Sequence, residues 1–196
     1  MNLTEMRARV REDLQDTDSQ NYRWTDAEVE GAIDRVVAEY SLHAPIEQQD
    51  DIATTDGDTE LDISSLSGLL EVESVEFPIG QSPKYLQRTE YWAGHLDMED
   101  EGDGEDARVR WFKKHTLDAA STTIPAQHEE IIVLGATGYL AMSASAYTVD
   151  RASIAGRHAT INYKAWGKER LDRYDRKLKA VSRTSKVIPH QLYPED

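Results

Sequence analysis

Apolar residues in the first 45 positions recur at helical spacing. Leu3, Met6, Val10 and Leu14 fall three or four apart and line one stripe of an amphipathic helix, whose other faces carry Arg7, Arg9, Arg11, Glu12 and Asp13. Asn2 and Glu5 are spaced to cap its start. The segment Asp16 to Trp24 is polar until Tyr22 and Trp24, and Thr25-Asp26-Ala27-Glu28 then reads as a capping box opening a second helix. Val29, Ile33, Val36, Val37 and Tyr40 form the buried stripe of that helix, and Pro45 ends it. Such a helical pair packs and assembles, and none of its residues is arranged for chemistry.

After Pro45 the pattern turns to β. Short runs rich in β-branched and aromatic residues lie at Asp51 to Thr54, Thr59 to Ile63, Leu70 to Phe77, Lys84 to Arg88 and Arg108 to Lys113, separated by Asp56-Gly57-Asp58, Gly80 and a long acidic loop. Val72, Val75 and Phe77 stand among glutamates, but the alternation slips by one at Ser74, as at a bulge. Helix returns after Ile124-Pro125, with Glu129 and Glu130 at the positive end of its dipole. From Ala126 to Thr148 small residues crowd several faces, which suits either a central helix of a bundle or a surface meeting another subunit. Asp150 to Gly156 interrupts, and a last helix is expected from Arg157 to Arg183, roughly 40 Å long at the α-helical rise. Tyr163, Trp166, Leu171, Tyr174, Leu178 and Val181 form its packing stripe. The expected fold is mainly α with inserted β: a bundle of about four helices with a small antiparallel β insertion between helices 2 and 3. Within one domain the segments are 1–45 (helical pair), 46–123 (β region), 124–186 (second helical pair) and 187–196 (an extended tail that two prolines keep from being helical).

The opening Leu-Thr-Glu-Met-Arg-Ala-Arg-Val-Arg-Glu-Asp-Leu-Gln-Asp, followed by Tyr22-Arg23-Trp24-Thr25-Asp26-Ala27-Glu28-Val29, Ala32-Ile33, Glu39-Tyr40 and Pro45, resembles the head-tail connector proteins of tailed viruses, also called adaptor or head completion proteins. Ile124 to Glu130, running into Gly135-Ala136-Thr137-Gly138-Tyr139, is similar to the same family. The resemblance implies a structural virion protein assembled in the host cytoplasm and placed at the neck. It would form a homo-oligomeric ring, dodecameric by family analogy, that docks under the portal protein, extends the DNA channel without sequence specificity and receives a downstream connector or tail protein. It also gives the last helix and tail the docking role toward the portal or a neighbouring subunit. The residues in question are Arg170, Arg173, Arg176, Lys177, Lys179, Arg183, Lys186, Ile188, Leu192 and Tyr193.

Composition narrows the picture. The 196 residues suit one sizeable core, no apolar run approaches 18 residues and no signal peptide opens the chain, so a soluble protein without a membrane partner is expected. The absence of cysteine removes disulfides and zinc–thiolate sites. Acidic residues number 37 against 22 basic ones and are mixed through every segment, a balance shared by chains that work in multimolar salt and by acidic mesophilic proteins with one very acidic loop; taken with the resemblance, the first reading implies a virus of a halophilic, archaeal host. The charge is uneven. Residues 1–156 carry 12 basic and 32 acidic side chains, a net of −20, whereas 157–186 carry 10 basic and 3 acidic ones, a net of +7. An acidic body with a basic last helix suits contact between neighbouring copies or with an acidic partner.

The loop Asp97 to Asp106 holds Asp97, Glu99, Asp100, Glu101, Asp103, Glu105 and Asp106 with two glycines, too charged to bury and too flexible to fold alone. Three uses stay open: a solvated loop, a channel or rim lining that repels DNA phosphates, and a cation site lacking the full calcium-loop pattern. No two histidines are three to five residues apart, and phosphate-loop, dinucleotide and nucleophile-elbow motifs are missing. His128 is expected at a surface or interface. Neither cofactor nor metal nor catalysis is expected. The second helix presents Asp26, Glu28, Glu30, Asp34 and Glu39 against a lone Arg35, which opposes entry into a DNA groove. The rival to the adaptor is an acidic DNA mimic that occupies the basic cleft of a nucleic-acid enzyme.

Overall fold

A computed structural model describes residues 1–148 and 163–182. Both expected capping boxes form: Asn2 with Glu5 at the start of α1 (Leu3–Asp13), and Thr25 with Glu28 at the start of α2 (Asp26–His43). Each satisfies two otherwise orphaned N–H groups and fixes where its helix begins. A single 3₁₀ turn at Ala126–His128 leads into α3 (Glu129–Thr148), and α4 (Tyr163–Val181) lies antiparallel against α3. The stripes predicted for α1, α2 and α4 meet in one core, with Met6, Val10, Val29, Ile33 and Val36 fully buried and Tyr174 and Leu178 nearly so. The expected ends of the last helix, 157–162 and Arg183, lie outside the described residues, as do the interruption 150–156 and the tail.

The crowd of small residues on α3 has a packing cause. A Cβ on Gly135 would stand 2.8 Å from both methyls of Val36, and one on Gly138 would stand 2.8 Å from Cγ and Cδ2 of Leu171. From the other side, a Cβ on Gly167 would lie 3.0 Å from that of Ala141. α3 is therefore the central helix, and its bare positions let α2 and α4 approach.

The β region corrects the expected fold. Instead of a small insertion in a helical bundle, the middle of the chain builds seven strands in two antiparallel sheets among the described residues. The strands are β1 (Ile46–Ala53), β2 (Glu60–Asp62), β3 (Leu69–Glu76), β4 (Leu86–Gln87), β5 (Thr89–Trp92), β6 (His95–Met98) and β7 (Asp106–Lys113). The first sheet has the order β1-β7-β3-β4 and the second β2-β6-β5. Their inner faces bury a second core, separate from the helical one, in which Leu61, Ile63, Leu96 and Met98 meet Val75, Val109 and Trp111. A chain segment with its own core is half of an α+β fold.

Strand β7 is the cleanest element, with Ala107, Val109 and Trp111 turned inward and Arg108 and Arg110 outward. The register of β3 on β7 shifts between Val72 and Ser74, where the alternation slips in the sequence. The hairpin β5–β6 was not expected. Its two-residue turn, Ala93 (φ 47°) and Gly94 (φ 92°), has positive φ at both positions, as the tight hairpin turn of matching twist requires.

A polar junction joins the helical layer to the sheets. His115, buried just past β7, places Nε2 2.9 Å from the Ala44 carbonyl and Nδ1 3.0 Å from the Thr123 carbonyl, and its backbone N–H donates to Ser41 Oγ. Tyr40 meets the His128 ring beside it. His128 is thus half-buried and bonded within the fold rather than simply at a surface.

Two substitutions separate space from helix propensity. Gly138→Ala gains at most about 1 kcal/mol of propensity but forces Leu171 aside, so a net loss on the order of 1–2 kcal/mol is expected. Gly31→Ala, on α2 with nothing within 4 Å of the new methyl, should stabilise by up to about 1 kcal/mol. Urea unfolding of both variants checks the contrast.

Candidate functional site

The family-like opening converges on one side chain. Arg11 has only 5% of its surface exposed, where the helical pattern placed it on a solvent face. Its guanidinium donates to Asp16 at 2.7 Å, to the Trp24 carbonyl at 2.9 Å and to Asp26 at 2.6 Å, and the Tyr22 ring covers it at 3.7 Å. Asp16 is also buried and accepts the N–H groups of Arg23 and Trp24. The hydrogen bond from Arg11 holds the Asp26 carboxyl below its ordinary value. The polar loop after α1 is therefore a clamp, and nothing in it is left reactive.

A second polar cluster lies between α2, α3 and α4. Glu39 accepts from the hydroxyls of Tyr139 at 2.9 Å and Tyr174 at 3.1 Å, and from Arg35 at 3.1 Å. Beside it opens a groove of about 320 Å³ bordered by His43, Leu171 and Asp175. Burial first, and then the neighbouring Glu39 carboxylate, push both phenols above their ordinary value. Phenols held protonated do not serve as bases, and a carboxylate already accepting three donors is a poor one. No group of three or more His, Asp or Glu among the described residues could hold a metal.

The acidic loop is better anchored than its composition predicts. Asp97 lies in β6 and Asp106 opens β7, so the connecting loop is 99–105. Its backbone is tied down at Gly102, which donates to Asp58 and accepts from Gly57, and by Thr54 Oγ1, which accepts from Gly104 and donates to the Glu105 carbonyl. A Cβ at Gly102 would fall 2.5 Å from the Thr55 carbonyl, so that glycine is what lets the loop lie down. Asp100 is half-buried on Gln87, while Asp97, Glu99, Glu101, Asp103, Glu105 and Asp106 face solvent. The loop is thus held by neighbouring segments rather than by itself, and its carboxylates other than Asp100 face solvent.

The bases of the last helix divide. Arg170 pairs with Asp13 of α1 at 2.7 Å and lies over the Trp166 ring; Lys177 and Arg173 both reach Glu130 of α3, at 2.7 and 3.5 Å. Lys179 pairs with Asp175 one turn back, and Arg176 points to solvent. Part of the expected docking face is therefore spent on holding α4 to the fold. Arg183, Lys186, Ile188, Leu192 and Tyr193 lie outside the described residues. Among the described residues no ion pair joins the acidic loop to α4.

No family model and no curated protein sequence matches this chain. What the site can do rests on its own geometry, which offers charged and aromatic surface. One such surface escaped the sequence: Tyr91 and Trp92, exposed to 61% and 77%, flank the hairpin turn. The signal was there in the Ala93-Gly94 pair between an aromatic run and His95-Leu96.

Arg11→Ala should cost about 3–5 kcal/mol by stranding the buried Asp16 charge, whereas Arg9→Ala, in an exposed pair with Glu12, should cost less than about 1 kcal/mol; chemical denaturation distinguishes them. Alkali probes the phenols. Because Tyr40, Tyr139 and Tyr174 are held protonated above the value of the unfolded chain, the unfolded state releases those protons first. The stability they contribute is complete below about pH 10 and is lost as the pH rises further. Denaturant midpoints measured between about pH 8 and 11 should fall with pH, less steeply in Tyr174→Phe.

Proposed function

We propose that the chain is a head-tail adaptor of a tailed virus: a structural protein that assembles as a ring under the portal, continues the DNA channel and receives the next connector or tail component. The observation that carries this reading is how the family-like segments are used. Tyr22, Trp24 and Asp26 close over Arg11, Glu39 receives the phenols of α3 and α4, and Gly135 and Gly138 admit α2 and α4. A pattern shared with connector proteins is thus spent on building a helical scaffold. The surface that remains is a set of charged and aromatic faces suited to assembly. An acidic rim from 97 to 106 would repel DNA phosphates, so that a genome slides past it.

The DNA-mimic reading draws on one feature, the carboxylates of adjacent strands standing opposite one another at Glu60, Asp97 and Glu90. It leaves the connector-like opening without a role.

Affinity capture of the tagged full chain from its native source in multimolar salt, with partners identified by mass spectrometry, tests the proposal. A portal-type protein should be recovered, and ending the chain after Ser185 should abolish that recovery if the tail is what docks. Recovery of a nuclease or polymerase without any virion protein would overturn the adaptor and favour the mimic.

A further inference from the structure

The second sheet has one face against the first sheet and one face that no other element covers among the described residues. Its register places Glu60, Asp97 and Glu90 in one row across β2, β6 and β5, and Asp62, His95 and Trp92 in the next. Alternation puts both rows on the outward face, since Leu61 and Leu96 between them are buried on the inner one. β5 ends the sheet, so its outer edge has no strand partner among the described residues. Trp92 on that edge is the most exposed large apolar side chain among the described residues, and Tyr91 beside it projects past the rim of the inner face. Trp92, left in water on the outward face beside a tight hairpin turn, marks a surface that something covers.

Charge identifies the occupant. Directly opposed like charges, with Cβ atoms about 5 Å apart, destabilise a sheet. No ion pair to Glu60, Asp97 or Glu90 is present among the described residues. Cations that would relieve such a row stand exposed on α4. Lys164, Lys168 and Arg176 run along the outward face of α4 at four- and eight-residue spacing, with Asp172 between the last two. They are exposed, while their neighbours Arg170, Arg173 and Lys177 are engaged with α1 and α3.

We propose that the outward face of the second sheet, anchored by Trp92, receives the outward face of α4 of a second copy of this chain. The two surfaces are different patches of one molecule, so the contact is heterologous. Repeated, it closes into a ring or runs on as a fibre, according to the rotation between copies. The inference rests on the adaptor reading for the expectation of a closed ring, and it names the faces that join one copy to the next.

The experiment is the mass of the purified full chain by sedimentation velocity over a wide concentration range, at about 0.15 M ionic strength, where charge pairing across an interface is not yet screened out, and again in the multimolar salt used for capture, where the apolar Trp92 contact is strengthened. The unaltered chain should assemble. Trp92→Ser should weaken assembly about tenfold or more, as for loss of an aromatic anchor. The triple change Glu60→Gln, Asp97→Asn and Glu90→Gln should also weaken assembly while leaving the melting temperature of the monomer unchanged or higher, because it removes like-charge contacts. Lys168→Glu with Arg176→Glu should abolish assembly, and adding Asp97→Lys with Glu90→Lys to that chain should restore it. A chain that stays monomeric, assembly indifferent to Trp92, or absence of rescue by the charge swap each overturns the proposal. The adaptor reading fails by a different result, the absence of a portal among captured partners, so either can fall while the other stands.

Discussion

The helical half of this protein depends on one steric condition: α3 must be thin where its neighbours cross it. With Gly135 against Val36 and Gly138 against Leu171, the contacts leave no room for even a methyl group. That close approach brings Tyr139 and Tyr174 within reach of Glu39 and brings Arg173 and Lys177 to Glu130. The polar bonds follow the packing. If α3 were bulkier, α4 would stand off and its cations would lose their partners. The C-terminal ends of α2 and the start of α3 are also where the chain leaves for and returns from the sheets, so the placement of the β half follows from the same condition.

Charge is organised in two regimes. Inside, the two most buried ion groups are paired: Arg11 with Asp16 and Asp26, and Glu76 with Arg110, Lys84 and the Gly80 N–H. Burial opposes ionisation of Glu76, yet these cations and the N–H keep its carboxyl below the ordinary value. Outside, carboxylates accumulate without compensation, most of all on the second sheet and the loop 99–105. A net charge of −15 is thus a property of the surface and not of the framework.

The sequence was readable where periodicity was long and apolar. The caps at Asn2 and Thr25, the buried stripes of α1, α2 and α4, the start of α3 and the irregularity near Ser74 all follow from local spacing. It was misread where tertiary contacts override the local pattern. Arg11 sits where a helical wheel puts a solvent residue, and only the partners supplied by the following loop make its burial affordable. The β half looked small for two reasons. β1 begins directly after Pro45 with a mostly polar face, so Ile46–Ala53 lacks the apolar alternation that marks a strand. β6 and β7 carry the ends of the acidic run, which reads as loop throughout. The assembly surfaces were the least legible part, because which face of a strand is outward depends on register, and register is fixed by a turn two residues long.

The junction at His115 has a mechanical meaning. The chain enters the sheets at Ile46 and leaves them at Lys113, and these two residues are paired neighbours on adjacent strands. A pull on the β half away from the helices therefore loads both crossings at one point and in one direction. It does not peel one strand from the next. The two sheets, with a core of their own, would swing as a single lever about a short axle formed by Ala44, His115 and Thr123. Force applied at the far hairpin would reach the helices as torque, with the hydrogen-bonded ladders left intact.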